Sequence, residues 1–141
     1  MIRKSLIEFI FDAASIERWN DHIRPSRGFT ELDKQSHKML CAYVLGKLDP
    51  EIDWVRLIEG GIFEFLHRLV LTDIKPPIFH RLMEEKGREL NAWAVEQIMP
   101  EIASIPGGFA ERFARYFTDE TESRREKAVL EGAHYLATQW E

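Results

Sequence analysis

Apolar residues recur along this chain at the three- and four-residue spacing of α-helices, and alternating runs typical of β-strands are nearly absent. Leu6, Ile7, Ile10 and Phe11 lie on one face of a helix over about residues 4–13. A second helix is predicted from about residue 31 to Leu48. The side chains expected to point inward from it are Leu40, Tyr43, Val44 and Leu48. The pattern therefore predicts an all-α fold.

Capping and turn residues divide the rest of the chain. Thr30 followed by Asp33 resembles a capping box at the start of the second helix. Asp49-Pro50 predicts the start of a third helix, which runs to about Leu71. Gly60-Gly61 in its middle lowers helix propensity, so close approach of another backbone or a ligand is expected there. Residues 72–77 form a turn because two prolines prevent a continuous helix.

Three further helices follow this turn. One runs from about Ile78 to Met99 and is expected to bury Leu82, Leu90, Trp93, Ala94 and Ile98. A short aromatic helix spans Phe109–Phe117, and Thr118 or Asp119 caps a last helix that runs to the end of the chain. The prediction is a bundle of five or six main helices forming a single domain over residues 1–141. The helices near 31–48, 50–71 and 119–141 are expected to pack together.

Composition narrows the function classes. Of 141 residues, 45% are hydrophobic, which suffices for a core without disulfides or structural zinc. A net charge of −5 argues against binding a nucleic acid polymer, although a pocket with one or two arginines can still hold a phosphate. The single cysteine, Cys41, favours a reducing, cytoplasmic setting. No apolar run is long enough for a membrane span, and Glu8 and Asp12 interrupt the N-terminal one.

The chain stops at Gln139-Trp140-Glu141, in the middle of a helical pattern. This is either a natural frayed helix end or the end of the first part of a longer protein, and the large aromatic side chain favours the second. An exposed apolar patch around Leu136 and Trp140 is then expected. Through this C-terminal helix the chain would associate with a second domain or with another copy in a homo-oligomer.

Two Glu-x-x-His pairs could carry metal chemistry. Glu64 and His67 lie one turn apart on the third helix, and Glu131 and His134 lie one turn apart on the last. Paired Glu-x-x-His helices are the ligand pattern of di-iron bundles. A structural explanation is equally available, since Glu64 could pair with Arg68 four residues on. Taken singly, His37, Arg18-Trp19 and Asp73 are also explained as surface, anchoring and turn residues.

The order of these residues along the chain resembles the HD-domain metal-dependent phosphohydrolases of the deoxynucleotidase type. The segments that carry the resemblance are Ile16-Glu17-Arg18-Trp19, Glu31 to His37, Phe65-Leu66-His67-Arg68 and Leu71-Thr72-Asp73 followed by Pro76-Pro77. The resemblance covers nearly the whole chain and implies an HD-domain-like helical bundle. It implies a divalent metal bound by His37, His67 and Glu131, and a nucleotide or other phosphate-bearing small molecule as ligand.

The resemblance also implies roles for the remaining residues. Arg18, with Trp19 beside it, matches the arginine that holds the substrate phosphate, and Asp73 matches an aspartate near the sugar. Metal-bound hydroxide would attack the phosphate monoester, with Glu64 as proton acceptor or as a replacement ligand. His and carboxylate donors suit Mn, Co, Zn or Fe.

Arg68 departs from the family pattern, because it stands where the family has the metal-binding aspartate of the His-Asp doublet. A guanidinium cation cannot ligate a divalent metal and repels one nearby. Three hypotheses therefore stand side by side. The chain is an HD-type phosphohydrolase or a degenerate half of one, a non-catalytic regulatory or structural HD module in which Arg68 pairs with Glu64, or a di-iron helical protein.

Overall fold

The computed structural model describes residues 4–18, 28–71 and 76–140, which form six α-helices and no β-strand. The helices are α1 (Lys4–Asp12), α2 (Glu31–Gly46), α3 (Trp54–Val70), α4 (Pro76–Ile102), α5 (Phe109–Thr118) and α6 (Arg124–Trp140). An isolated β-bridge pairs Glu17 with Thr30. The prediction of an all-α protein with five or six main helices is confirmed. None of the described helices has the length and apolar character needed to cross a membrane.

Contacts between residues group the chain into two compact units. Unit 1 comprises residues 1–7 and 63–122, and unit 2 comprises residues 8–62 and 123–141. Unit 1 therefore contains α4 and α5, and unit 2 contains α2 and α6. The first half of α3 belongs to unit 2 and its second half to unit 1.

In unit 1, α5 packs against α4, and its aromatic side chains pack against Phe63 of α3. The Phe63 ring makes edge-to-face contacts with Phe109, Phe113 and Tyr116, at centroid distances of 5.1, 5.4 and 5.6 Å. Such edge-to-face pairs place the positive rim of one ring against the negative face of another. Ala94 and Ile98 of α4 are fully buried, as predicted, whereas Trp93 is 45% exposed and its predicted burial is wrong.

The predicted capping box at the start of α2 is present. The Thr30 hydroxyl accepts a hydrogen bond from the Asp33 backbone N–H at 3.2 Å, and the Asp33 carboxylate accepts one from the Thr30 backbone N–H at 2.9 Å. The helix ends at Gly46, two residues before the predicted Leu48. A Cβ at Gly46 would lie 2.9 Å from the Trp54 ring, so this glycine permits close approach of α2 and the start of α3.

The predicted inward face of α2 is wrong. Its four apolar side chains are all exposed, from 55% for Tyr43 to 78% for Leu48, with Leu40 and Val44 between. The buried positions are Glu31, Lys34, Lys38, Ala42 and Gly46. The physical reason is that the buried face of α2 packs against α6, where Ala42 shares a core cluster with Leu130 and Ala133. Small side chains allow two helices to approach closely, and the aliphatic stems of the lysines can be buried beside them.

The N-terminal half of α3 also packs in unit 2, so the predicted grouping of the second, third and last helices holds for residues 54–62. The Gln35 side chain donates a hydrogen bond to the Gly61 carbonyl at 2.9 Å. A Cβ at Gly61 would lie 2.8 Å from the Met39 methyl and 3.5 Å from Leu130 of α6. The neighbours at this glycine are side chains, not the second backbone or the ligand that the sequence predicted.

Three predicted helix boundaries are wrong. The third helix begins at Trp54 rather than at Asp49-Pro50, because the Asp53 carboxylate caps it by accepting from the N–H groups of Val55 and Arg56. The fourth continues past Met99 through Pro100 to Ile102, and it contains a kink at Lys86. The last begins at Arg124 rather than after Thr118 or Asp119, because Ser123 has a left-handed φ of 51°.

Candidate functional site

In unit 1, the second half of α3 presents Glu64 and His67 one helical turn apart. His67 is 8% exposed, and its Nε2 lies 3.0 Å from the side-chain oxygen of Asn91 on α4. An amide oxygen only accepts hydrogen bonds, so Nε2 is the donor. The imidazole stacks on Phe117 of α5, with 4.5 Å between ring centroids and 16° between planes. His67 is therefore fixed by one neighbour on each of the two helices that follow it.

The surroundings of His67 keep its imidazole neutral. Burial is the largest effect and lowers the pKa of His67 below its usual value of 6.5, and the nearby Arg68 charge lowers it further. The hydrogen bond to Asn91 and the negative charge of Glu64 act in the opposite direction. Because burial prevails, the ring is a neutral donor at physiological pH.

Glu64 and Arg68, which lie on α3 with His67, each contact a residue of another helix. The Tyr116 hydroxyl of α5 donates a hydrogen bond to the Glu64 carboxylate at 2.6 Å. The Arg68 guanidinium lies over the Phe79 ring, 5.9 Å from its centroid, at a distance typical of a cation–π contact. The sequence prediction that Arg68 pairs with Glu64 stays a prediction.

In unit 2, His37 of α2 lies against the C-terminal turn of α6. Its ring meets the Trp140 ring edge-on at a centroid distance of 4.8 Å, and Trp140 also contacts Phe29 at 5.9 Å. The His37 Nδ1 atom is buried and has no hydrogen-bond partner among the described residues. A buried imidazole nitrogen is normally bonded to protein, to water or to a ligand. His37 is therefore the predicted site residue whose bonding capacity is most clearly unfilled.

Arg18 lies at the entrance to α2. Its guanidinium donates to the Glu31 carboxylate at 2.9 Å, and the two side chains are only 13% and 6% exposed. The local backbone explains this pairing, since residues 16–18 run beside residues 29–31 through the Arg18-to-Phe29 and Glu31-to-Ile16 hydrogen bonds. Arg18 thus carries a buried ion pair in the same unit as His37. Its neighbour Trp19 lies outside the described residues, and so does Asp73.

Glu131, the predicted third metal ligand, has an exposed side chain on α6. The face of α6 that is buried consists of Glu126, Leu130, Ala133 and Ala137. His134, the partner of Glu131 in the Glu-x-x-His pair, is also exposed. Di-iron bundles hold both metals with ligands that project into the bundle core, so exposed positions for this pair do not fit that alternative.

The described residues contain no group of three or more His, Cys, Asp or Glu side chains placed to hold a metal ion. The buried, unpartnered nitrogen of His37 fits a ligand role, while the Nε2 of His67 is already bonded to Asn91. The described residues therefore bring no complete set of metal donors together, and the metal site stays a prediction.

Sequence reasoning missed several polar residues, among them Asn91 and Tyr116 in unit 1 and Lys34 and Lys38 in unit 2. Asn91 and Tyr116 bind predicted site residues from 24 and 52 positions away, and no local spacing indicates such contacts. Lys34 and Lys38 are buried on α2 at 4% and 5% exposure, and Lys34 donates to the Thr138 hydroxyl at 2.6 Å. Their burial could have been predicted, because Lys34, Lys38, Ala42 and Gly46 are spaced four residues apart and so lie on one helical face, whose two small residues allow close packing.

The chain matches no protein-family model, no curated protein and no solved structure. The resemblance to HD-domain phosphohydrolases therefore rests on the order of residues along the chain.

Proposed function

We propose that this chain is an HD-superfamily phosphohydrolase-like domain directed at a nucleotide or a related phosphate monoester, with His37 as a ligand-binding residue. The observation that carries the proposal is the buried Nδ1 of His37, which has no hydrogen-bond partner among residues 4–18, 28–71 and 76–140. Leaving a buried polar atom without a partner costs about 1–3 kcal/mol. A ligand that bonds to His37 removes that cost.

A divalent ion of the Mn, Co, Zn or Fe type is the cofactor that this proposal implies, and when bound it would supply hydroxide near neutral pH. His37 provides one donor for it. Arg18 lies in the same unit, and its guanidinium has the planar fork that fits phosphate oxygens. One guanidinium nitrogen of Arg18 donates to the Glu31 carboxylate at 2.9 Å, so a phosphate would have to compete with this carboxylate for Arg18.

The first experiment measures divalent-metal binding by calorimetry with Mn²⁺ and Co²⁺, for the unaltered protein and for His37→Gln. The matched control is His80→Gln, since His80 is exposed and lies in unit 1. Loss of a metal-ligating side chain should weaken binding at least about tenfold in His37→Gln and leave the control unchanged. No metal binding by the unaltered folded protein, or equal binding by both variants, contradicts the assignment of His37.

The second experiment restores the family doublet with Arg68→Asp. Replacing the cation by a carboxylate removes a repulsive charge and adds a donor, so metal affinity should rise. Hydrolysis of deoxynucleoside monophosphates, followed as phosphate release, should rise with it. A folded Arg68→Asp protein with unchanged metal affinity would show that residue 68 is not the residue that limits the site.

A non-catalytic regulatory or structural HD module is the second candidate. It is favoured by the protein partners that three predicted site residues already have: Glu31 for Arg18, Tyr116 for Glu64 and Asn91 for His67. Nucleotide binding that is independent of metal, together with no phosphate release from the unaltered protein or Arg68→Asp, would support this candidate over the enzyme.

A further inference from the structure

The solvent-facing side of α2 carries an apolar stripe, formed by Leu40, Tyr43 and Val44, that stays largely exposed among the described residues. Leu40 is 67% exposed, Val44 61% and Tyr43 55%. These side chains lie three and four residues apart on one helical face, opposite the buried face of Lys34, Lys38, Ala42 and Gly46. Large apolar residues on the outer face and lysines on the inner face reverse the usual arrangement of a surface helix.

The stripe has the spacing of a coiled-coil seam. Its line continues towards both ends of the helix through polar residues. The exposed positions follow one another at alternate intervals of three and four residues: Asp33, Ser36, Leu40, Tyr43 and Lys47. This repeat keeps one line of side chains facing a partner helix over about 21 Å. A helix of another chain is therefore the shape that this face accepts.

The charges on the stripe are arranged for a second copy of this chain. An acidic residue, Asp33, lies at its N-terminal end, a basic residue, Lys47, lies at its C-terminal end, and the apolar side chains lie between them. A two-fold axis through the region of Leu40 and Tyr43 makes the paired helices antiparallel. Each Asp33 then comes within about one helical turn of the other chain's Lys47. A parallel pairing would instead place like charges opposite each other.

Two further observations extend this face. The Tyr43 ring contacts Trp54 at 5.6 Å, and Lys47 lies over both rings, so the charged end of the stripe is fixed in place. Val55 and Ile58, which follow Trp54 on α3, are further exposed apolar side chains of the same unit, at 66% and 50% exposure.

We propose that this chain forms a homodimer through the outer face of α2, in which the two helices pair antiparallel about a two-fold axis near Leu40 and Tyr43. The arrangement is isologous, so each substitution acts twice in the assembly. It uses a helix different from the C-terminal one that the sequence indicated, and it does not depend on metal or nucleotide binding.

The test is sedimentation equilibrium over a wide concentration range with the full chain. Leu40→Glu should raise the dimer Kd by at least about 100-fold, because two buried leucines are replaced by two charges. The control is Ile78→Glu on α4, where an apolar side chain is 55% exposed outside the stripe, and its Kd should equal that of the unaltered protein. Circular dichroism verifies that both variants are folded.

Charge reversal tests the antiparallel geometry separately. Lys47→Glu and Asp33→Lys should each weaken the dimer about tenfold or more, since each brings like charges together twice. Because the Asp33 carboxylate also caps α2, Asp33→Asn, which keeps a side-chain acceptor for the Thr30 N–H, is the control for loss of the cap. The double variant carrying both changes re-forms two opposite-charge pairs and should recover most of the affinity. A monomer at every concentration overturns the proposal and leaves the stripe for a different partner chain. A dimer that Leu40→Glu does not weaken, or that the double variant does not restore, overturns it as well.

Discussion

Replacing His67 by glutamine should remove an acid-dependent loss of stability from this protein. Burial holds the pKa of His67 below its usual value in the folded state, whereas the unfolded chain titrates near 6.5. As the pH falls below about 6.5, the unfolded chain takes up a proton that the folded protein refuses. The free energy of unfolding must then decrease with falling pH, until the pH reaches the lower folded-state pKa.

The size of this effect has an upper limit that follows from linkage. One site contributes at most about 1.4 kcal/mol of unfolding free energy per pH unit. His67→Gln also weakens or loses the hydrogen bond to Asn91, which is worth about 0.5–1.5 kcal/mol. The variant should therefore be less stable than the unaltered protein near neutral pH, and the difference should shrink or reverse in acid.

Urea unfolding followed by circular dichroism, repeated from about pH 7.5 to about pH 5, measures the slope directly. His80→Gln removes an exposed histidine and is the matched control for the loss of an imidazole. If the unaltered protein and His67→Gln lose stability equally as the pH falls, the inference that burial holds His67 neutral is refuted.

Two predictions concern backbone positions. Gly61→Ala places a Cβ against the flexible end of the Met39 side chain, which must shift to make room, so this variant should gain less stability than Gly87→Ala. Gly87→Ala meets only an ordinary 3.6 Å contact and should be stabilising by up to about 1 kcal/mol. Thermal unfolding of the two variants checks the pair, and equal stabilities would contradict it. Asp53→Ala removes the cap of α3 and should lower the free energy of unfolding by about 1 kcal/mol, so an unchanged urea midpoint would show that the cap contributes nothing.

The fold class was predictable because the helical signals are local. The Thr30–Asp33 capping box depends on residues three apart, and the short aromatic helix α5 begins at the predicted Phe109. The identity of the buried face of α2 was not predictable from apolarity. It depends on which surface α6 offers, and Ala133 and Ala137 come from nearly 100 residues further along the chain.

For the candidate site, too, the sequence identified individual residues but not the partners that they contact. The sequence singled out His67 and His37, and the structure gives each a distinctive environment, one bonded to Asn91 and one with a buried, unpartnered nitrogen. Their partners were not predictable, because a hydrogen bond between α3 and α4 or a ring contact between α2 and α6 depends on tertiary packing. Helix starts were misplaced where a second capping residue, such as Asp53 after Asp49, competed with the first.

Unit 2 is assembled from two segments, residues 8–62 and 123–141, with the 60 residues of 63–122 between them. The hydrogen bond from Lys34 to Thr138 closes a span of 104 residues, so α2 and α6 pair only after a large entropic cost of loop closure. Unit 1 draws almost all its residues from one continuous stretch and can fold earlier. Between the end of α2 and the start of α6 lie residues 47–123, so at about 5–20 residues per second α2 waits about 4–15 s during synthesis for the helix that covers its inner face. Buried lysines on that face, rather than leucines, keep the waiting helix charged and discourage aggregation until α6 arrives.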